Sequence, residues 1–296
     1  METLKTVLII VGILNMVVNI IGYIIFMINS RDIISSGNKK NNFWMKIGFF
    51  LLIFFLGGYL FVEIWGDPDL MTSLILLFGS VFVSIVMILL SRLTNTAKER
   101  GVEIAGALIG VIDARDPNLN GHSVHVKNLA MLFYRYLPAH LKITVNSVNL
   151  ELAALMHDIG KLGVPEAILN KPAKLTDEEW EIMKTHPKVG VKLLKPLHTF
   201  DTISDWILYH HERIDGKGYY GKKGEELPLP AKLLSIVDTY SAITMRRSYK
   251  QPRTHEDAIA VLKEVAGTQL DKQLVDIFLT IPKGELEKCI PDQIKY

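Results

Sequence analysis

The sequence has little of what marks secreted, nucleic-acid-binding or β-sheet proteins. It contains one cysteine, Cys289, which excludes an internal disulfide and fits a reducing compartment. A net charge of +2 over 296 residues gives no electrostatic reason to expect a nucleic-acid polymer as partner. After residue 93 no strand-like alternation of useful length occurs, and helical periods are separated by glycine and proline. We therefore predict an all-α fold.

Histidine and apolar residues are distributed unevenly. All nine histidines lie between His122 and His255, whereas the apolar residues, 49% of the chain, are concentrated at the N-terminus. A chain of this length suggests about two domains. We expect a membrane region over residues 1–93 and a second domain over residues 94–296.

Three apolar runs, at about residues 4–28, 43–64 and 70–91, are long enough to cross a bilayer, which takes roughly 20 residues. The first run is too long for the core of a signal peptide. Buried helices of a soluble protein are the alternative, but three such runs in 93 residues argue against it. Asn15 and Asn19 lie one helical turn apart in the first run and predict packing between helices.

The basic residues predict the orientation of these spans. The connection between the first two spans carries Arg31, Lys39 and Lys40, whereas the turn at residues 66–69 carries no basic residue. Because cytoplasmic connections are enriched in lysine and arginine, we expect the N-terminus outside and residues 94–296 in the cytoplasm. The short outer turn is too small to be a folded extracellular sensor.

Helical periodicity and capping signals place the elements of the second domain. Thr176 and Glu179 have the spacing of a capping box, which predicts that a helix begins there. The other predicted helices cover residues 101–114, 124–137, 145–161, 189–194, 202–212, 231–244, 255–266 and 271–280.

An adjacent His157 and Asp158 interrupt the apolar run from Leu150 to Leu162. Burying an ionisable pair costs free energy unless its charge is compensated. A divalent metal would compensate it, since imidazole and carboxylate are common ligands. For an isolated pair, a hydrogen bond between the two side chains at a helix end is the better interpretation.

Further ligand-type residues change that balance, because four other segments supply them near helix ends or apolar helical faces. The predicted metal ligands are His122, His157, Asp158, His186, His210, His211 and Asp238. Nitrogen and oxygen ligands without thiolate suit Fe or Mn at least as well as Zn. Their number exceeds what one ion needs, so we predict two divalent ions, which suit phosphoester displacement. The remaining histidines, His125, His140, His198 and His255, are interpreted as surface or packing residues.

Two further stretches have the composition of a phosphate-binding site. Three glycines between Gly216 and Gly221 predict a loop that approaches another group closely. Arg246, Arg247 and Lys250 follow the predicted Asp238 helix, and arginine matches phosphate geometry. For Arg246 a solvated helix end is the preferred interpretation.

Together these stretches resemble the HD-GYP family of HD-domain phosphohydrolases. The resemblance covers residues 113–250 and rests on DARDPNLNGHS, HDIGKLGVPEAILNKPAKLTDEEW, the His186-Pro187 pair, HHERIDGKGYY and VDTYSAITMRRSYK. It implies an enzyme that hydrolyses cyclic di-GMP with Fe or Mn in an all-helical domain. Together with the predicted spans, it leads us to expect a phosphodiesterase of the bacterial inner membrane. The linear dinucleotide is the minimum product, and a second cut to GMP is the alternative outcome. The same seven residues would bind the metals.

The resemblance also assigns roles around the metals. Asp158 and Lys161 would be catalytic, with Lys161 contacting substrate phosphate. Gly218, Tyr219, Arg247 and Lys250 would bind the dinucleotide, together with Lys161.

Two departures from the family pattern affect these expectations. Tyr220 occupies the place of the GYP proline, so the loop loses a fixed φ angle. No glutamate shortly precedes His122, which favours two metals over three, with Asp113 or Asp116 as alternative contributors.

Alternatives to the enzyme remain at this point. One is a catalytically weak receptor that binds the nucleotide and signals to a protein partner. Another is a hydrolase of a different cyclic dinucleotide or of a nucleoside phosphate. A homodimer formed through the membrane spans is a further prediction.

Overall fold

The structure, a computed structural model, describes residues 2–35, 39–115, 121–245 and 251–291, without the side chains of 29–35, 39–42, 98, 111–115 and 198–199. The chain forms two compact units, Met1–Arg100 and Gly101–Tyr296. The described residues are helical and contain no β-strand, only an isolated bridge between Ala266 and Leu270. The predicted all-α fold is confirmed.

Three long helices dominate the N-terminal part of the chain: α1 (Glu2–Ser35), α2 (Lys39–Trp65) and α3 (Leu70–Arg115). Each contains a stretch that is long and apolar enough to cross a membrane, namely Glu2–Ile28, Phe43–Trp65 and Leu70–Gly110. Most large apolar side chains in these stretches are exposed in the folded chain. Such exposure is typical of helices whose surroundings are lipid rather than water.

Polar side chains join α1 to α3 inside this apolar unit. Asn15 Nδ2 donates to Ser80 Oγ over 3.1 Å, and Asn19 Nδ2 donates to the Ser80 carbonyl over 3.0 Å. Ser84 Oγ in turn donates to Asn19 Oδ1 over 2.8 Å. The predicted packing role of the two asparagines is thus confirmed between helices of one chain.

The second unit consists of short helices. They are α4 (His122–Tyr136), α5 (Ala139–Lys142), α6 (Ser147–Met156), α7 (Glu166–Leu169), α8 (Asp177–Met183), α9 (His186–Leu194), α10 (Ser204–Leu208), α11 (Leu229–Thr244), α12 (His255–Val265), α13 (Lys272–Phe278) and α14 (Lys283–Glu287). Segments Ile159–Gly163, His198–Ile203 and Gly224–Glu226 form 3₁₀ helices.

The core of this unit follows from the spacing of its apolar residues. On α4, Val126, Leu129, Ala130 and Phe133 recur at three- and four-residue intervals and are all buried. This face packs α4 against α6 and α11, and Phe133 meets Phe278 of α13 edge to face at 5.2 Å. Burying a side chain such as leucine or phenylalanine stabilises the fold by about 1.5–3 kcal/mol.

The helix that precedes His157 and Asp158 is shorter than predicted. A helix was expected over 145–161, but α6 ends at Met156 and a 3₁₀ helix begins at Ile159. His157 and Asp158 therefore lie at the junction of two helices, not inside one. The junction allows close packing, because a Cβ on Gly160 would overlap the His186 carbonyl oxygen on α9.

Other boundaries also changed. Thr176 and Glu179 do form a capping box at the start of α8, as predicted. The helix expected over 202–212 is confined to Ser204–Leu208, which leaves His210 and His211 beyond its end. The short helices α5, α7 and α14 were not predicted from the sequence.

Candidate metal centre

Three histidines at element ends share one orientation. His157 follows the last residue of α6, His186 opens α9, and His210 lies two residues after α10. The Nδ1 atom of each lies 2.6–2.9 Å from the carbonyl oxygen three residues earlier in the chain. Because the carbonyl accepts, Nδ1 carries the hydrogen and Nε2 is left as a lone-pair donor. The backbone thus prepares three imidazoles for the same use.

His122 and Asp238 approach this group from two other helices. His122 is the first residue of α4, after Gly121 in the left-handed region, and its Nε2 lies 3.1 Å from Asp238 Oδ1. Asp238 lies on α11, beside the buried face that contains Leu234 and Ser241. Its Oδ1 is also 3.9 Å from His157 Nε2.

Asp158 lies at the centre of the cluster and is only 3% exposed. Its Oδ2 accepts from Lys161 Nζ at 2.6 Å and lies 3.4 Å from His157 Nε2. Its Oδ1 lies 3.2 Å from His186 Nε2. The carboxylate therefore faces different histidines with its two oxygens.

The seventh residue, His211, is partly buried beside its neighbour. Its ring centroid is 4.0 Å from that of His210 and 5.1 Å from that of His186. The structure thus brings all seven predicted ligands together.

Charge and burial set the protonation of these groups. Burial lowers the pKa of His210 well below its usual value, and burial together with His186 lowers the pKa of His211 to about 3. Burial alone would raise the pKa of Asp158, but Lys161 and His157 outweigh it and hold that pKa well below its usual range. His210 and His211 as neutral imidazoles, beside an ionised Asp158, are in the states that metal ligands require.

Unpaired buried atoms test whether these residues fit a metal. Nε2 of His157, His186 and His210 and Oδ1 of Asp158 are buried without a hydrogen bond among the described residues. Each unpaired buried polar atom costs about 1–3 kcal/mol. All four belong to the cluster, and divalent cations bound there would satisfy them. The cluster fits divalent metal binding.

The ligand atoms fall into three groups in which all atoms lie within 4.8 Å of one another. These are Asp158, His186, His210 and His211; His122, His157 and Asp158; and His157, His210 and Asp238. Asp158, His157 and His210 each belong to two of the groups. Of these, Asp158 is the carboxylate, and its two oxygens suit it to be shared between ions.

A cavity of about 580 Å³ opens onto the cluster. Asp158, His186, His211 and Asp238 form one part of its wall. The remainder combines cations with apolar and aromatic side chains, including Lys161, Lys171, Lys174, Trp180 and Tyr219. The volume lies within the range of small-molecule sites, about 300–1,000 Å³.

The glycine-rich loop packs against the cluster through Tyr219, whose ring centroid lies 4.7 Å from that of His211. Glu212, only 3% exposed, holds the loop by accepting the N–H groups of Tyr220 and Lys222. A Cβ on Gly218 would overlap Glu212, so this position requires glycine.

Tyr220 is fixed by contacts that a proline could not make. Its N–H donates to Glu212, its hydroxyl donates to the Lys184 carbonyl over 3.2 Å, and Lys188 Nζ lies 4.4 Å from its ring centroid. The loop lacks the φ angle that a proline would fix, and these contacts of Tyr220 hold the loop in position instead.

Some predicted residues cannot be placed. Arg247 and Lys250 lie outside the described residues, as do Arg246 and Asp116, and the side chain of Asp113 is not described. Lys161, Gly218 and Tyr219 lie beside the cluster of predicted ligands or the cavity that opens onto it.

Sequence reasoning missed the roles of four residues around the site, Glu212, Trp180, His125 and Ser241. Glu212 anchors the loop, and Trp180 lines the cavity. His125, interpreted as a surface or packing residue, is buried and lies 2.9 Å from Ser241 Oγ. The period of α4 places His125 one turn from His122 on the same side of the helix, which was the available signal.

Comparisons with known proteins agree with this geometry. The chain is 33% identical over 188 residues to a probable cyclic di-GMP phosphodiesterase of Vibrio cholerae, covering 58% of this chain and 42% of the relative. It is 34% identical over 189 residues to the cyclic di-GMP phosphodiesterase response regulator RpfG of Xanthomonas campestris, covering 62% and 49%. It is 34% identical over 164 residues to 3′3′-cGAMP-specific phosphodiesterase 3 of Vibrio cholerae, covering 55% and 35%.

The chain spans less than half the length of these curated relatives. The family model described as HD domain matches residues 106–274, more than half of the chain. The matched range contains every histidine and aspartate of the cluster. The chain belongs to the HD domain family, in its HD-GYP branch.

Proposed function

We propose that this protein is a metal-dependent phosphodiesterase that hydrolyses cyclic di-GMP to the linear dinucleotide, with a second cut to GMP as a further step. The observation that carries the proposal is the shared position of Asp158 in two groups of ligand atoms beside a large open cavity. The names of the relatives supply the substrate class.

We propose two divalent ions, Fe or Mn, held by His122, His157, Asp158, His186, His210, His211 and Asp238. A third ion with Asp113 or Asp116 is the alternative. When bound, such ions supply Lewis-acid activation of a phosphodiester and of the attacking water. The absence of thiolate from the donor set supports Fe or Mn over a structural zinc site.

The residues around the ions would bind and orient the substrate. Lys161 Nζ, 2.6 Å from Asp158 Oδ2, lies in the cavity wall and would neutralise charge that develops on the phosphate. Asp158 would keep Lys161 oriented while it ligates metal. Burial raises the pKa of Tyr219, so its phenol stays protonated next to the anionic substrate.

Binding of the dinucleotide would use the rest of the cavity. Gly218 and Tyr219 place the loop against the cluster, and Arg247 and Lys250 are proposed phosphate contacts. Trp180 and the apolar part of the wall would contact bases, which stack on aromatic rings. The same phosphodiester chemistry would serve 3′3′-cGAMP, on which one relative is named as acting.

We further propose that α1, α2 and the first part of α3 anchor the protein in the bacterial inner membrane. The apolar stretches of these helices support the anchor. The basic connection between the first two spans supports an outer N-terminus and a cytoplasmic hydrolase domain over residues 94–296. A homodimer and a signalling partner are compatible proposals.

The test is turnover by the full-length chain, purified without oxygen in detergent and loaded with Fe or Mn. Chromatography of the products should show the linear dinucleotide from cyclic di-GMP, at a higher kcat/KM than from cyclic di-AMP or 3′3′-cGAMP. Asp158→Ala should abolish turnover, while Asp276→Asn, a change at an exposed residue paired with Lys272, should leave it intact.

Two results would contradict the proposal. Tight nucleotide binding without turnover would instead identify a receptor. Turnover that survives Asp158→Ala would exclude the proposed metal chemistry. Preferred cleavage of 3′3′-cGAMP would keep the enzyme and change its substrate.

A further inference from the structure

Ser241 connects the cluster to a histidine outside it. It lies on α11, three residues after Asp238, and is fully buried. Its Oγ is 2.9 Å from Nδ1 of His122 and 2.9 Å from Nδ1 of His125. One hydroxyl therefore bridges a proposed metal ligand and a buried imidazole that is not among the ligands.

Hydrogen-bond chemistry restricts the states of this bridge. A hydroxyl donates one hydrogen and accepts others, whereas a neutral imidazole has one donor and one acceptor nitrogen. If His122 binds metal through Nε2, its hydrogen is on Nδ1 and is donated to Ser241 Oγ. The Ser241 hydroxyl then donates to Nδ1 of His125, which keeps its own hydrogen on Nε2.

The reverse arrangement is incompatible with a metal at His122. If Nδ1 of His125 donates to Ser241 Oγ and the hydroxyl donates to Nδ1 of His122, the hydrogen of His122 must be on Nε2. That hydrogen points towards Asp238 Oδ1 at 3.1 Å and occupies the lone pair that a metal needs. If both imidazoles donate to Oγ instead, the buried Ser241 hydroxyl has no acceptor among the described residues.

We infer that Ser241 is a positioning residue that fixes the metal-binding tautomer of His122, and that His125 is the acceptor that orients the Ser241 hydroxyl. Three other clustered histidines, His157, His186 and His210, obtain the same tautomer from backbone carbonyls. At His122, the acceptor that the structure describes next to Nδ1 is the Ser241 hydroxyl. The inference rests on the metal ligation proposed above.

A side-chain bridge has a consequence that a backbone carbonyl does not. Nε2 of His125 is buried without a hydrogen-bond partner among the described residues. Nε2 is unpaired in both arrangements, so the contact with the Ser241 hydroxyl is what links the tautomer of His125 to that of His122. Ion binding at His122 and the tautomer of His125 are therefore coupled.

Cobalt binding by the full-length chain in detergent tests this assignment, because the visible absorption of Co²⁺ reports its coordination. Ser241→Ala should weaken one binding step by about 10–100-fold and alter its spectrum, the range found when partners of ligating histidines are lost. Thr244→Ala removes another hydroxyl from the same helix, one that donates to the Tyr240 carbonyl. This variant should bind Co²⁺ as the native chain does.

Two variants of His125 separate the hydrogen bond from packing. Asparagine places an acceptor oxygen near the position of Nδ1, so His125→Asn should bind Co²⁺ within about threefold of the native chain. His125→Leu fills space without an acceptor and should weaken the same step that Ser241→Ala weakens.

The outcomes distinguish this inference from the proposed function. Absence of Co²⁺ binding by the native chain would overturn both. Native-like affinity and spectrum of Ser241→Ala would overturn the positioning role and leave the metal centre. Equal weakening by His125→Asn and His125→Leu would show that packing, not the hydrogen bond, matters.

Discussion

At the scale of single residues, the site depends on side chains that hold other side chains. Three clustered imidazoles are oriented by carbonyls three residues before them, and Asp158 is oriented by Lys161. Glu212 has the same kind of role for the loop, since it accepts two backbone N–H groups while buried. Ligand geometry is thereby set before any ion binds.

Glu212→Ala should therefore lower the free energy of unfolding by about 1–3 kcal/mol, because it leaves the N–H groups of Tyr220 and Lys222 without their acceptor. Chemical denaturation of the full-length chain measures the change. Glu212→Gln keeps an acceptor oxygen and should lose less. Glu225→Ala, at an exposed residue nearby, is the control. A loss no larger than that of the control would contradict the role of Glu212.

The ligand residues were accessible to sequence reasoning, and their supporting residues were not. His157, Asp158 and the other ligands are of types that metals select, and their position beside apolar faces made them conspicuous. Ser241 and Glu212 carry no sequence signal of their own that would predict their roles. Their roles arise from contacts between residues 119 and 10 positions apart in the chain, which periodicity cannot reveal.

At the scale of elements, the junction after α6 determines the position of His157 and Asp158 in the cluster. The sequence predicted one helix through residue 161, because the apolar run continues to Leu162. The chain instead changes to a 3₁₀ helix at Ile159, which brings Gly160 against the His186 carbonyl and the Gly190 amide. Tertiary contact with α9 decides the boundary, and local pattern does not encode that contact.

Gly160→Ala should destabilise the fold by about 1–3 kcal/mol or more, since an added methyl group must push the 3₁₀ helix away from α9. The same displacement moves His186, so metal content should fall as well. Thermal unfolding and elemental analysis measure the two effects. Gly284→Ala, on α14 where an added Cβ meets nothing within 4 Å, should retain both properties. Equal behaviour of the two variants would contradict this packing.

Polar contacts between α1 and α3 should also matter for stability. Asn19→Ala removes the donor to the Ser80 carbonyl and the acceptor of Ser84 Oγ. We expect a loss of about 0.6–2 kcal/mol, the range of such contacts in membranes. Unfolding by SDS titration measures it. Val18→Ala, at the neighbouring exposed residue, should show a smaller shift. Identical midpoints for both variants would argue against the contact.

At the scale of the whole molecule, an apolar helical unit and a hydrolase-type unit share one chain. Composition predicted the three apolar helices, and the motifs predicted the HD domain. The orientation in the membrane stays a prediction, because it rests on the distribution of basic residues.

Cysteine labelling tests that orientation. In a Cys289→Ser background, Asp67→Cys in the short turn should react with a membrane-impermeant maleimide added to spheroplasts. Lys272→Cys, at an exposed position of α13, should react only after lysis. Labelling of Lys272→Cys in intact spheroplasts, with Asp67→Cys protected, would reverse the proposed orientation.

The central claim is that the seven clustered residues form a metal centre that cleaves a cyclic dinucleotide. Its most direct test is the metal content of the full-length chain purified without oxygen, measured together with that of Asp158→Ala and Asp276→Asn. We predict about two Fe or Mn ions per chain in the native protein and in Asp276→Asn, and fewer than one in Asp158→Ala, because Asp158 is shared between ligand groups. A native chain that turns over cyclic di-GMP without bound metal, or an Asp158→Ala chain with full metal content, would contradict it.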